Sequence, residues 1–282
     1  MSLKFKSIAA VSALIGTLAL VGCGPAEKDP NHIKVGVIVG AEQQVAEVAQ
    51  KVAKDKYGLD VELVTFNDYV LPNEALSKGD IDLNAFQHKP YLDQQIKDRG
   101  YKLVSVGNSF VYPIAGYSKK IKSLEELQPG SQVALPNDPT NLGRSLLLLQ
   151  KVGLIKLKDG VGLLPTVLDV VENPKNLKLV ELEAPQLPRS LDDQQIALAI
   201  INTTYASQIG LTPAKDGRRN GVTAGKGGWC VGDEEAPYVN LIVAREDNKD
   251  AENVKKFVQA YQSDEVYDAA NKAFNGGAVK GW

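Results

Sequence analysis

Hydrophobic and polar positions follow two alternating patterns along the first half of the chain. The run of β-branched residues over 33–39 predicts a buried strand. Apolar residues at helical spacing follow, from Val45 to Ala53, and Gly58 ends this predicted helix. Further strands are predicted over 60–66, 81–86 and 102–106, and further helices over 73–78 and 89–99. Such alternation with short links is typical of a parallel sheet covered by helices.

A second alternating unit begins near residue 123, where Ser123-Leu124-Glu125-Glu126 predicts a capping box that opens a short helix. Strands are predicted over 132–135, 177–182 and 196–201, with helices over 140–152, around Val254 to Tyr261, and from Ser263 to Gly276. The sequence therefore predicts an α/β protein of two lobes, with a cleft between them. In open α/β sheets, ligands bind beyond the carboxyl ends of the strands.

The N-terminus has a different pattern, typical of a lipoprotein signal peptide over 1–22. Lys4 and Lys6 precede an apolar run that is too short to span a bilayer comfortably. That run ends in Leu20-Val21-Gly22-Cys23, which favours cleavage before Cys23 and lipidation of its thiol; an ordinary signal peptide with an incidental cysteine is the alternative. The polar, proline-bounded residues 23–31 are interpreted as a tether, and His32 is expected to lie in the same exposed segment.

Composition and charge exclude several classes of function. The 282 residues are 44% hydrophobic and 23% charged, which is a globular composition. The net charge is -2, and the absence of a basic excess argues against nucleic acid as a partner. Two cysteines rule out a disulfide scaffold, and with only two histidines they weaken most metal and cysteine-nucleophile chemistry. We therefore expect no metal site and no cofactor.

Aromatic side chains follow two predicted strands. Phe86, His88 and Tyr91 lie within six residues at the end of the third strand, and Tyr69 occupies a similar position after the second. Aromatic faces suit a flexible apolar or thioether side chain because they offer large contact area with little entropy to lose. Filling of the hydrophobic core by Phe86 and Tyr91 is an equally good interpretation of these residues alone.

A second candidate binding element opens the helix after residue 135. Free N–H groups and the helix dipole favour an anion there, and Arg144 in the first turns can clamp a carboxylate. Asn141 offers an acceptor and donors, which suits a ligand carrying both ammonium and carboxylate. Asn202 is a polar residue at a strand end. The alternatives are a plain capped helix with a surface arginine, and a turn residue at Asn202.

Candidate catalytic groups are few. The tether position assigned to His32 leaves His88 as the one candidate general base, and neither G-x-S-x-G nor H-E-x-x-H is present. Asp192 and Asp193 form a carboxylate pair, but Leu187-Pro188-Arg189-Ser190 before them is interpreted as a solvated loop. We therefore expect a binding protein and no enzyme.

Three blocks of the chain resemble the NlpA lipoprotein family. They are residues 33–66, Asn84-Ala85-Phe86-Gln87-His88-Lys89-Pro90-Tyr91, and Pro136-Asn137-Asp138-Pro139-Thr140-Asn141-Leu142-Gly143-Arg144. The resemblance implies a two-lobed periplasmic-binding-protein fold (type II-like) that closes on one amino acid. It also implies delivery of that ligand to the permease and ATPase subunits of an ABC importer, from a lipid anchor at Cys23 on the periplasmic face of the inner membrane, with the outer membrane as an alternative. A monomer is expected.

Within that family, the residues match the receptors for L-methionine. The resemblance implies that Tyr69, Phe86, His88 and Tyr91 surround the thioether side chain, and that Asn141, Arg144, Asn202 and Asn240 hold the ammonium and carboxylate. D-methionine or a derivative is an alternative ligand. A paralogous lipoprotein with another amino-acid ligand, or a structural lipoprotein with a vestigial cleft, is an alternative function; Tyr91 and Asn202 fit the methionine receptors better.

The resemblance also implies domain boundaries and one departure from the family pattern. Lobe 1 is expected over 32–113, completed by 238–282, and lobe 2 over 114–237. Residues 218–236 are glycine-rich and longer than the family pattern, which resumes at Pro237-Tyr238-Val239-Asn240. They are interpreted as an insertion or a reading-frame slip that loosens one hinge.

Overall fold

The computed structural model describes residues 29–213 and 236–282. The predicted signal peptide, Cys23 and most of the tether lie outside the described residues, as does the predicted insertion apart from Ala236. Within the described ranges, no helix combines the length and the apolar character needed to cross a membrane.

Strands and helices alternate through most of the described chain. The strands are β1 (His32–Ile38), β2 (Asp60–Phe66), β3 (Leu83–His88), β4 (Leu103–Val111), β5 (Ile114–Tyr117), β6 (Gln132–Pro136), β7 (Lys156–Leu157), β8 (Val170–Glu172), β9 (Lys178–Leu182), β10 (Ile196–Asn202), β11 (Val239–Arg245) and β12 (Val279–Lys280). The helices are α1 (Ala41–Tyr57), α2 (Leu71–Lys78), α3 (Lys89–Arg99), α4 (Pro139–Lys151), α5 (Leu187–Ser190), α6 (Thr203–Gln208), α7 (Glu252–Tyr261) and α8 (Asp264–Ala273).

Two main sheets organise the molecule. The six-stranded sheet has the order β12-β4-β11-β3-β1-β2, and the four-stranded sheet has the order β5-β10-β6-β9. The expectation of parallel sheets is only partly correct, because β11 runs antiparallel between β3 and β4, and β5 runs antiparallel to β10. The edge strand β12 also runs antiparallel to β4.

Each sheet has its own hydrophobic core, and a third cluster joins them. In the six-stranded half, α1 packs against α7 and α8 over buried residues such as Val35 and Phe257. The leucine-rich face of α4 covers the four-stranded half. The third cluster takes Phe86 from one sheet and Tyr117 from the other, so the two halves are packed together beside the strand ends.

Three local expectations are wrong for identifiable reasons. Ser123 makes no side-chain cap in the described structure, and the Glu126 carboxylate accepts from the Lys122 backbone N–H at 2.7 Å, one residue before the predicted N-cap. The segment that opens at Leu187 is a short helix over a fully buried leucine, and no solvated loop. His32 is the first residue of β1, paired with Asp60, and does not belong to the tether.

Candidate functional site

One cavity lies where strand ends of the two sheets meet, and it contains about 370 Å³ of space free of atoms. It is lined by all eight predicted ligand-binding residues, Tyr69, Phe86, His88, Tyr91, Asn141, Arg144, Asn202 and Asn240. Sequence reasoning missed four further lining residues, Gln87, Tyr112, Thr203 and Thr204.

The aromatic wall comes from β3, α3 and the loop after β2. The rings of Tyr69 and Phe86 stack with centroids 5.8 Å apart, and Tyr91 meets both edge-on at 6.1 Å. The Tyr91 hydroxyl donates to the Tyr69 backbone carbonyl at 2.8 Å, which fixes the loop after β2 against α3. Phe86 and Tyr91 belong to a buried hydrophobic cluster as well as lining the cavity, so the core and the wall are the same residues.

His88 lies at the junction of the aromatic and polar walls. As the N-cap of α3, its Nδ1 accepts from the Tyr91 backbone N–H at 3.2 Å. Burial, with a smaller effect of the Arg144 charge, lowers the pKa of His88 to about 3, so the ring is neutral near pH 7. An accepting Nδ1 leaves the proton on Nε2, which lies 3.1 Å from Asn141 Oδ1 and donates to it.

The polar wall is built around the first turns of α4. Asp138 caps this helix by accepting from the Asn141 backbone N–H at 2.9 Å, and its carboxylate also accepts from Asn141 Nδ2. The Asn141 amide is thereby oriented, with Oδ1 accepting from His88 and from Asn202 Nδ2 at 2.9 Å. The side-chain N–H donors of Asn141 therefore bind Asp138, and the sequence did not predict this pairing.

Arg144 is buried, so the surface-arginine alternative is wrong. Its Nη2 donates to the Tyr112 backbone carbonyl at 2.9 Å, and its guanidinium carbon lies 4.4 Å from the centre of the Tyr238 ring. Only 5% of the residue is exposed. A buried guanidinium at a cavity wall is suited to bidentate recognition of a carboxylate.

Two asparagines complete the polar wall. Asn240, on β11, donates from Nδ2 to the Phe86 backbone carbonyl at 3.0 Å. Asn202 ends β10 and precedes α6, but its side chain does not cap that helix. Its Oδ1 is buried and has no hydrogen-bond partner among the described residues, which provides an acceptor at the cavity.

Glycine at position 143 allows α4 to lie close to the loop after β7. A β-carbon there would approach the Leu163 carbonyl oxygen to 2.3 Å, which is a backbone clash. The close approach supports the helix turn that carries Asn141 and Arg144. The structure also offers no group of three or more metal-ligating side chains within the described ranges.

Most of the missed lining residues lie at the ends of strands, as the predicted ones do. Thr203 and Thr204 come directly after Asn202 at the end of β10, and Gln87 lies inside the block that contributes Phe86 and His88. Tyr112 lies between β4 and β5, where the chain passes from one sheet to the other. The carboxyl ends of strands indicate this part of the chain, but the sequence interpretation does not extend to the polar neighbours of a chosen residue or to Tyr112 in the crossover.

Two sheets with a buried, amphipathic cavity between them define the class of periplasmic substrate-binding proteins, which confirms the predicted fold class. The family model for NlpA lipoproteins matches residues 33–282, and the chain belongs to that family.

Individual relatives cover nearly the whole chain. A protein of Yersinia pestis named D-methionine-binding lipoprotein MetQ is 92% identical, with both chains covered in full. A crystal structure of the methionine-binding protein MetQ has a TM-score of 0.85 and 88% identity, covering 90% of this chain and 99% of its own. A nutrient-binding protein of Burkholderia cenocepacia, solved bound to methionine, has a TM-score of 0.81 and 50% identity, covering 89% of this chain and 100% of its own.

Proposed function

We propose that the protein binds methionine, with L-methionine as the first ligand, in the cavity between the two sheets. The observation that carries the proposal is the joining of a stacked aromatic wall to a buried arginine and asparagine wall in one cavity. The MetQ relative is named a D-methionine-binding lipoprotein and the Burkholderia structure is bound to methionine, which supports methionine, as either enantiomer, as the ligand.

Each wall suits one part of an amino acid. The rings of Tyr69, Phe86 and Tyr91 offer apolar contact to a thioether chain. Arg144 offers a charge-assisted clamp for the carboxylate, and the Asn202 Oδ1 offers an acceptor for the ammonium. Asn240 is assigned to the same polar wall. The Asn141 amide is hydrogen-bonded within the protein and holds His88 and Asn202 in place, so we propose all eight predicted residues as the binding site, with Asn141 positioning its neighbours.

Transport is the role that we propose for this binding. As the family resemblance implies, the protein would deliver methionine to the permease and ATPase subunits of an ABC importer. It would act as a monomer held to the membrane by a lipid on Cys23, on the periplasmic face of the inner membrane. We also propose that the halves 32–113 with 238–282, and 114–237, move as lobes that close on the ligand.

Catalysis is the less favoured function. His88 is the histidine at the cavity, and both of its ring nitrogens are engaged in hydrogen bonds. With its pKa lowered to about 3 by burial, it is a weak base near neutral pH. The geometry at this histidine thus supports binding and positioning.

The first test is titration calorimetry on a chain that starts at Gly24, after unfolding and refolding to remove any carried ligand. We expect a one-site isotherm for L-methionine, and a stability gain of about 2.7 kcal/mol at a hundredfold excess over Kd. D-methionine, methionine sulfoxide and leucine, titrated in parallel, rank the ligands. A protein that melts cooperatively but gives no heat and no melting shift with either methionine enantiomer would overturn the proposal.

A further inference from the structure

Glu42 is a buried carboxyl group next to the cavity that the binding function does not use. It lies in the first turn of α1, on the six-stranded half, and only 1% of it is exposed. Its Oε1 accepts from the Thr204 hydroxyl at 2.8 Å, and Thr204 belongs to α6 on the four-stranded half. The bond therefore joins the two halves of the molecule, and its donor is a cavity-lining residue.

Thr204 is one of two consecutive threonines that hold the first turn of α6. The Thr203 hydroxyl donates to the Pro113 carbonyl, in the crossover between β4 and β5. Thr204 is held from the other side by Glu42, and its side chain also interacts with the Tyr69 phenol of the aromatic wall. Both threonines are almost completely buried, so neither hydroxyl can exchange its partner for bulk water without a change in packing.

The turn held in this way carries a ligand-facing group. Asn202 immediately precedes α6, and its Oδ1 is the acceptor assigned to the ligand ammonium. Asn202 is also held by its pairing with Ile114 and by its Nδ2 bond to Asn141 at 2.9 Å, so the two threonine bonds act on the side of Asn202 that faces α6.

We propose that Glu42 is a positioning residue, which acts through Thr204 to set the place of the Asn202 acceptor and of Tyr69 in the cavity. The expected effect on affinity rests on the proposed methionine function. The expected effect on the positions of Asn202 and Tyr69 does not. Glu42 itself does not line the cavity.

The test compares variants that alter the Glu42–Thr204 hydrogen bond with a control variant that removes a different hydrogen bond of α6. Glu42→Leu and Thr204→Val each remove the Glu42–Thr204 bond, whereas Glu42→Gln keeps an accepting oxygen. Gln208→Leu is the control, because Gln208 Nε2 on α6 also donates to the other half, to the Val39 carbonyl at 2.9 Å, without lining the cavity.

Two readouts separate geometry from affinity. In the ligand-free protein, the Asn202 side-chain amide resonances are expected to shift in Glu42→Leu and Thr204→Val, but to stay in place in Glu42→Gln and Gln208→Leu. For methionine, the first two variants are expected to raise Kd about tenfold, the effect of one lost hydrogen bond. Glu42→Gln is expected to stay near the wild-type Kd.

Three outcomes would overturn the inference. They are unmoved Asn202 resonances in both Thr204→Val and Glu42→Leu, an equal loss of affinity in Gln208→Leu, or a failure of Glu42→Gln to restore binding. If Glu42→Leu does not fold, Thr204→Val gives the same comparison. A wild-type protein without methionine affinity would overturn the proposed function alone, because the resonance comparison needs no ligand.

Discussion

At the scale of single residues, the cavity depends on Arg144, because it brings a buried positive charge to a wall otherwise made of neutral groups. Arg144→Ala is expected to raise the Kd for methionine at least a hundredfold, or about 3 kcal/mol, because the ligand carboxylate would be buried without its partner. Calorimetry measures the change directly.

The matched control is Arg245→Ala. Arg245 is also largely buried, with Nη1 donating to the Leu76 and Ile81 carbonyls at 3.0 and 2.7 Å, but it does not line the cavity. The Arg245→Ala variant is expected to have a lower free energy of unfolding and an unchanged affinity for methionine. Equal losses of affinity in both variants would mean that Arg144 acts through the fold.

The sequence predicts which residues line the cavity better than it predicts their hydrogen-bond partners. Aromatic residues at strand ends and an arginine at a helix start were recognisable as candidates, and the family resemblance added Asn240. The hydrogen bonds of Asn141 were not recognisable, because they join residues far apart in the chain, His88 and Asn202. Glu42 was missed for the same reason, since nothing near it in sequence indicates burial beneath α6.

At the scale of elements, the cap at the start of α4 has two roles: it stabilises the helix and it orients the site residue Asn141. Asp138 accepts from the Asn141 backbone and also from its side-chain amide. Asp138→Ala is therefore expected to cost about 1 kcal/mol of stability as a lost N-cap, and in addition to weaken methionine binding by about tenfold. Denaturant unfolding and calorimetry on the same variant measure the two effects.

Ser263→Ala supplies the comparison for this variant. Ser263 caps α8 by accepting from the Val266 backbone N–H at 3.4 Å, and it does not line the cavity. Its loss is expected to lower stability without changing Kd. A normal Kd in Asp138→Ala would show that Asn141 keeps its orientation through His88 and Asn202 alone.

Helices and strands were predicted well where hydrophobic periodicity is strong, and less well where the order and direction of strands in the sheet determine the structure. The predicted bounds of β2 and α3 are those observed, whereas the third strand was predicted at 81–86 and lies at Leu83–His88. The strand β11 was not predicted, and its direction could not have been read from its pattern, because a strand buried on both faces has the same hydrophobicity in either direction. The helix at Leu187 was missed because prolines and polar residues around it resemble those of a loop.

At the scale of the whole molecule, the two halves are joined through buried groups that titrate in opposite ways. Burial raises the pKa of Glu42 to about 8, from 4.5, and lowers that of His88 to about 3, from 6.5. Burial also raises the pKa values of the phenols of Tyr69, Tyr112, Tyr205 and Tyr261, with a smaller contribution from the Glu42 charge, so these phenols stay neutral across this range.

The signs of the two effects follow from proton binding. Between pH 3 and 6.5 the unfolded chain binds more protons at His88 than the native protein, so the free energy of unfolding rises with pH. Between pH 4.5 and 8 the native protein binds more protons at Glu42, so the free energy of unfolding falls as pH rises. These two groups therefore favour a stability maximum between pH 4.5 and 6.5.

Variants at the two positions separate these contributions. Relative to wild type, Glu42→Gln is expected to gain stability progressively from pH 4.5 to 8, and His88→Gln to gain it as pH falls from 6.5 to 3. Urea unfolding across this range measures both differences, and His32→Gln, at the other histidine, is expected to leave the acid slope of His88 in place. A pH-independent difference between Glu42→Gln and wild type would contradict the prediction, because it would mean that the pKa of Glu42 is the same in the native and the unfolded protein.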